Sequence, residues 1–224
     1  MDIDLAAFID HTVLKEGTQI TDVDKVCLEA GQENFAAVCI PSRYVVEARK
    51  MLKGSGVKVA TVVAFPMGEG SRDQKAAAIK AAAKAGADEV DMVADILAIK
   101  SGDWKRVEAE ITACMKPVTT TGITLKVIIE SGILTDEEIA ACCDIYSKFK
   151  VGYVKTSTGF AEQGATVHAV ELMRDRLPKH IGIKASGGIR TWAFAKELID
   201  AGATRLGCSA SMAIMKEWRM RADR

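Results

Sequence analysis

The sequence predicts an α/β protein, a single (β/α)8 barrel spanning residues 1–224. Three observations carry this. Short apolar, β-branched runs alternate with amphipathic stretches from end to end, the pattern of a parallel sheet with helices outside. There are eight such runs, the number that closes a barrel of this type. No Pro/Ser-rich linker, charge run or composition shift divides the chain. A doubly wound open sheet is the alternative, but it usually announces a nucleotide site with GxGxxG or GxxxxGK[ST]. Neither motif occurs here.

The runs expected as strands cover 8–13, 35–40, 58–65, 89–95, 124–130, 153–158, 181–186 and 204–208. One helix is expected in each interval. The segment 21–30 opens with Thr21 as N-cap and stops at Gly31; 71–85 is alanine-rich and stops at Gly86. Thr135 and Glu138 have the three-residue spacing of a capping box. The segment 191–201 opens at Thr191 and stops at Gly202.

Thirty basic residues face thirty acidic ones. Net zero gives no electrostatic footprint for nucleic acid or an anionic membrane. No window of about 18 residues is apolar and charge-free, so no transmembrane helix is expected. The acidic start, Met1-Asp2-Ile3-Asp4, is unlike a secretory signal. The six cysteines show no CxxC and no paired Cys/His spacing. Reduced thiols in a cytoplasmic protein are expected, and no zinc site.

Chemistry in such a barrel lies at the C-terminal ends of the strands. Polar residues interrupting the apolar runs there are Asp10-His11-Thr12, Cys39, Asp91, Asp95, Lys126, Glu130, Lys155, Ser157, Lys184 and Ser186. Lysine is among the residues least often buried. Several ammonium groups in one barrel mouth would lower one another's proton affinity, and a neutral amine is the nucleophile of a Schiff-base enzyme. Asp91 and Glu130 could shuttle protons, or simply pair with Lys126. A lysine near a strand end can also snorkel to water. His11 reads equally as a structural residue, and Cys39 as a small core hydrophobe. Gly187-Gly188 and Gly207-Cys208-Ser209 follow strands seven and eight, where barrels of this type often hold phosphate. The residues alone leave open which lysine would react.

The segment Tyr153-Val154-Lys155-Thr156-Ser157-Thr158-Gly159-Phe160 resembles the active-site lysine segment of the deoxyribose-phosphate aldolase family of class I aldolases. Asp10-His11-Thr12, Ala37-Val38-Cys39-Ile40-Pro41 and Thr61-Val62-Val63-Ala64-Phe65-Pro66 resemble that family's first three strands. Segments 87–93, 125–132 and 182–191 resemble its fourth, fifth and seventh. The likeness runs in order along the whole chain.

The resemblance implies a (β/α)8 barrel that joins acetaldehyde and glyceraldehyde 3-phosphate reversibly into 2-deoxyribose 5-phosphate, without metal or organic cofactor. It implies Lys155 as the Schiff-base lysine, Lys184 as the lysine lowering its pKa, and Asp91 as the acid/base partner. Lys126 would stand beside the site, and Thr12 and Cys39 would line the pocket. Gly159, Gly187, Gly188, Gly207 and Ser209 would form the phosphate-binding turns. A cytoplasmic homodimer or homotetramer acting in deoxyribonucleotide catabolism is implied as well.

Three departures stand out. Ala94-Asp95-Ile96-Leu97 replaces an Asn and a following Gly, so Asp95 is expected as an added carboxylate near the site. Cys208-Ser209-Ala210 offers one hydroxyl where two serines are common. The end, residues 218–224, lacks the tyrosine that reaches the active site in some members. Two other readings stay open on the residues alone. One is a phosphate-binding barrel lyase or isomerase using its lysines non-covalently; the other is a non-catalytic sugar-phosphate sensor.

Overall fold

In the computed structural model, which describes residues 3–222, eight parallel strands close into a barrel in chain order, with the last strand pairing the first. They are β1 (Ile9–Thr12), β2 (Ala37–Ile40), β3 (Lys58–Val63), β4 (Glu89–Val93), β5 (Thr124–Ile128), β6 (Tyr153–Lys155), β7 (Gly182–Ser186) and β8 (Arg205–Cys208). β2 and β4 are buried at every residue. Covering both faces is why these strands read as continuous apolar runs.

Most of the strands stop short of the predicted ends. Ala64 and Glu130 have φ of 54° and 55°, so the chain leaves the extended region where β-branched composition alone would have continued it. The residues left over, among them Asp95, Glu130 and Thr158, belong to the loops at the barrel mouth.

The helices are α1 (Ile20–Glu33), α2 (Val45–Met51), α3 (Arg72–Ala85), α4 (Ile96–Lys100), α5 (Trp104–Thr121), α6 (Asp136–Tyr146), α7 (Val167–Arg176), α8 (Trp192–Asp200) and α9 (Ser211–Ala222). The predicted Thr135/Glu138 box holds at α6, and two further caps appear, at α3, where Ser71 accepts from the Gln74 N–H, and at α8, where Thr191 accepts from the Phe194 N–H. α3 stops at Gly86 with φ 101°, a left-handed position that glycine takes without steric cost.

α1 departs from expectation. Its N-cap is Gln19, two residues before the expected Thr21, with the Gln19 N–H donating to Asp22, and it runs through Gly31 to a left-handed Asn34. Asparagine tolerates that conformation, so the glycine was not needed as the stop. The interval between β4 and β5 holds two helices instead of one.

Outward-facing strand residues such as Val38, Val59, Val90 and Ile183 join the helices in one apolar layer. Inside the barrel the lining differs. Small residues, Ala37, Cys39 and Ala60, fill one side, and charged side chains fill much of the rest. Period-two alternation sends Asp10 and Thr12 inward and His11 outward. His11 therefore packs edge-on to Phe35, between Glu29 of α1 at 2.7 Å and Ser211 of α9 at 3.0 Å. His168 and His180 are exposed. Among the described residues no helix is long and apolar enough to cross a membrane. All six cysteines are free and buried. Residues 1–2 and 223–224, where the acidic start and part of the tyrosine-free end fall, lie outside the described residues.

Candidate active site

Parallel register builds the site. Lys155 on β6 lies beside Lys184 on β7, and Lys184 lies beside Arg205 on β8. On the other side Asp91 on β4 lies beside Lys126 on β5. Because all of these side chains point inward, sequence-distant charges meet on the barrel axis.

Asp91 is the hub. Its Oδ1 accepts from Lys126 Nζ at 2.8 Å, and its Oδ2 accepts from Lys155 Nζ at 2.8 Å and Lys184 Nζ at 2.7 Å. The Cys39 thiol approaches the same Oδ2 at 3.9 Å. Deeper in the barrel Asp10 bonds to Lys184 through Oδ2 and to Arg205 Nη1 through Oδ1, the latter at 2.6 Å. Glu89 lies 2.6 Å from Lys126 and 3.3 Å from Arg205. Among the described residues the interior thus holds four buried cations, Lys126, Lys155, Lys184 and Arg205, against three buried anions, Asp10, Glu89 and Asp91.

One cation is in excess, and the electrostatics say which. Burial pushes the Lys155 amine below the ordinary lysine range, and neighbouring Lys184 adds to the effect against the pull of Asp91. Burial works the same way on Lys184 and Lys126. There it is overcome, by Asp10 and Asp91 for Lys184 and by Asp91, Asp10 and Glu89 for Lys126, so both stay charged. Burial would protonate Asp91, but Lys126, Lys155 and Lys184 hold its carboxyl well below the usual range. Burial, with Asp91 adding to it, pushes the Cys39 thiol up to about 11. That leaves Cys39 a neutral wall at neutral pH.

Lys155 also opens on a cleft of about 530 Å³ at the C-terminal mouth. Thr12, Thr158, Gly159, Gly187, Gly188, Arg190, Gly207 and Ser209 share that cleft. Gly159, Gly187 and Gly188 have φ of 86°, 87° and 78°, turning peptide groups in a way β-carbons would oppose. An amine that gives up its proton easily, facing a polar cleft, can add to a carbonyl carbon. Turns of this kind beside an arginine suit an anion.

A family model described as DeoC/LacD family aldolase matches residues 5–216. The chain belongs to that family. The deoxyribose-phosphate aldolase of Mannheimia succiniciproducens is 45% identical over 213 residues, 95% of this chain and 94% of the relative. The enzyme of that name from Histophilus somni is 47% identical over 212 residues, with 95% and 94% covered. The tetrameric deoxyribose phosphate aldolase of Aeropyrum pernix superposes with a TM-score of 0.89 at 28% identity, covering 96% of this chain and 91% of that one.

Set in the DeoC/LacD family, several residues stand elsewhere than the sequence suggested. Asp95 is not a second carboxylate of the site. It caps α4 by accepting from the Ala98 N–H and pairs with Arg106 Nε at 2.6 Å, facing the helix layer. Glu130 neither pairs with Lys126 nor faces Lys155. The strand ends before it, and its carboxylate accepts from the Thr158 N–H and, at 2.5 Å, from the Thr158 hydroxyl. It therefore braces the loop after β6. Gly207 is not in a turn but within β8. A β-carbon there would lie 3.0 Å from Lys184 Cε, so the missing side chain leaves room for Lys184. Thr12 turns its hydroxyl to the Asp10 carbonyl at 2.9 Å. Sequence reasoning passed over Glu89, Arg205 and Arg190. Glu89 opens an apolar run and Arg205 sits in one, and a charge within such a run was the available signal.

Proposed function

We propose that this chain catalyses the reversible cleavage of 2-deoxy-D-ribose 5-phosphate into acetaldehyde and D-glyceraldehyde 3-phosphate through a Schiff base on Lys155. The observation that carries the reading is the pairing of one proton-poor amine with the glycine-lined cleft, in a member of an aldolase family. The names of the 45–47% identical relatives supply the substrate.

In the synthetic direction the neutral Lys155 amine adds to acetaldehyde, and loss of water leaves an iminium ion. The iminium draws electrons from the neighbouring C–H bond. Asp91, working through water, takes a proton from the methyl carbon, and an enamine forms. A carboxylate held so firmly ionised is a weak base, so charged Lys184 beside it shares in passing the proton on. The enamine carbon then attacks the aldehyde carbon of glyceraldehyde 3-phosphate, whose oxygen takes up a proton. Hydrolysis of the iminium releases the sugar and restores Lys155.

Gly159, Gly187, Gly188 and Ser209, with Arg190, hold the phosphate. That binding energy is remote from the new bond and orients the acceptor. Lys126 fixes the Asp91 carboxylate, and Thr12 and Cys39 wall the acetaldehyde side. Ala210 offers no hydroxyl where a second serine is common, so the phosphate grip rests on one.

Assembly as a homodimer or homotetramer follows the tetramer described for the Aeropyrum pernix relative, and light scattering reads it. A cytoplasmic site of action fits the six reduced thiols. Purified protein given 2-deoxyribose 5-phosphate should release equimolar acetaldehyde and triose phosphate. Binding without turnover would favour the sensor reading.

A further inference from the structure

The reaction proposed above uses Lys155, Asp91 and Lys184 but gives no work to the far end of the barrel interior. Two buried charges sit there. Arg205 bonds to Asp10 at 2.6 Å and to the Tyr153 hydroxyl at 3.1 Å, and its guanidinium lies over the Tyr153 ring at 5.2 Å. Glu89 faces Arg205 at 3.3 Å and Lys126 at 2.6 Å, with half-exposed Lys58 at 3.2 Å on its outer side. A buried arginine is expensive unless something requires it. An interior with three anions would balance with Lys126, Lys184 and Lys155 alone. Arg205 is the cation that makes the set uneven.

We propose that Arg205 and Glu89 are positioning residues of opposite sign, which reach Lys155 through Asp10, Lys184, Lys126 and Asp91 and set how readily its amine sheds a proton. Arg205 takes Asp10 Oδ1 and so leaves Asp10 only one oxygen for the lysines. Asp10 can then neutralise Lys184 but cannot spread negative charge toward Lys155. Glu89 limits this by answering Arg205 and Lys126 together. The groups facing Lys155 are Asp91 of β4, Lys184 of β7 and Cys39 of β2. The thiol is neutral, so the field at the amine is set by the others and by what stands behind them. Arg205 lies two strands from Lys155, about 10 Å away. At an effective dielectric constant of about 20, a unit charge at that distance shifts a titration by on the order of one pH unit.

The signs are opposite, which a purely structural role would not produce. Removing the Arg205 charge makes the interior more negative, so Lys155 holds its proton to higher pH. Removing the Glu89 charge makes it more positive, so Lys155 loses its proton at lower pH. Both are read from the pH titration of the Lys155 Cε signal by NMR of protein carrying labelled lysine, assigned with Lys155→Arg. Arg205→Met should move the midpoint up by about one pH unit, Glu89→Gln should move it down, and Arg205→Lys should bring it back toward the parent value. If Arg205→Met does not fold, Glu89→Gln and Arg205→Lys carry the test. A Glu89→Gln midpoint that stays or rises overturns the proposal, as does an Arg205→Met midpoint that stays or falls.

The inference rests on Lys155 as the reactive amine, but the titration does not depend on turnover. Trapping acetaldehyde with borohydride tests the reaction separately. Shifts of the expected sign without an adduct on Lys155 would overturn the reaction and leave the charge coupling standing.

Discussion

At the scale of single residues, one of three interior lysines differs from the others. Lys126 and Lys184 each lie against two or more carboxylates, whereas Lys155 has a single carboxylate that it shares. Composition singled out all three lysines, but left open whether each points inward or snorkels to water. It could not rank them, because the ranking depends on which strands are neighbours and in what register. Asp91→Asn should lower kcat by about 10²–10⁴-fold, since it removes the proton acceptor, and should also cost stability by leaving buried lysines without their counter-charge. Steady-state rates beside a circular dichroism spectrum check this. Gly207→Ala should push Lys184 out of place, because its new β-carbon would lie 3.0 Å from Lys184 Cε and 2.9 Å from Ser186 Cβ. The expected cost is about 1–3 kcal/mol of stability, together with a large loss of kcat, read by denaturant unfolding and kinetics. Activity at the parent level would contradict the role given to that glycine.

At the scale of elements, the loop after β6 is held on two sides. Glu130 braces Thr158, and Gly164 lies so close to the loop after β7 that a β-carbon would stand 2.3 Å from the Gly187 carbonyl oxygen. Gly164→Ala should therefore displace the Gly187-Gly188 turn. KM for 2-deoxyribose 5-phosphate should rise several-fold, while turnover of unphosphorylated 2-deoxyribose changes little. Equal effects on both substrates would argue against a phosphate grip there. On the outer layer, buried Lys75 of α3 bonds to Glu110 of α5 at 2.5 Å and to the Val93 carbonyl at 2.9 Å, fixing both helices over the end of β4. Lys75→Met should cost about 3–5 kcal/mol by leaving Glu110 unpaired, and adding Glu110→Leu should recover much of it. Unfolding curves of the single and double variants give the comparison. The capping box at Thr135 was legible because it needs only local spacing. The run of α1 through Gly31 was not, since the stop at Asn34 depends on a conformation that glycine and asparagine both accept. The two helices between β4 and β5 were missed for the same kind of reason. Asp95 and Asp103 are caps, and Asp95 had been read as a site carboxylate.

At the scale of the whole molecule, the barrel was legible because eight strands buried on both faces leave eight apolar runs, and no other part of the chain competes with them. The polar interior was only half legible. Lysines in apolar runs stand out, but their counter-charges, Asp10 and Glu89, lie on strands far away in sequence. This interior also makes stability depend on pH. Asp10 and Asp91 are held below the usual carboxylate range against their burial by the lysines around them, Asp10 also by Arg205, and Glu89 is held down against burial by Lys126 and Arg205. A carboxyl whose folded pKa is depressed stabilises the fold above its unfolded value, near 4, and loses that contribution as pH falls toward the folded value. Thermal melts should therefore show Tm nearly level from about pH 7 to pH 5 and falling steeply below about pH 4. Lys155 acts in the same sense at higher pH. Its folded pKa is depressed by burial, so the cost of holding a charged amine there is fully present below the folded value and eases as pH rises from the folded toward the unfolded value, where the unfolded chain still holds a proton that the folded amine has lost.

The central claim is that Lys155 forms the covalent intermediate. The most direct measurement is borohydride trapping with acetaldehyde followed by peptide mass mapping, on the parent protein and on Lys155→Ala. A two-carbon adduct on Lys155, absent from the variant, is the expected result. An adduct on Lys184 or Lys126, or none at all, would contradict it and return the lysines to a non-covalent role.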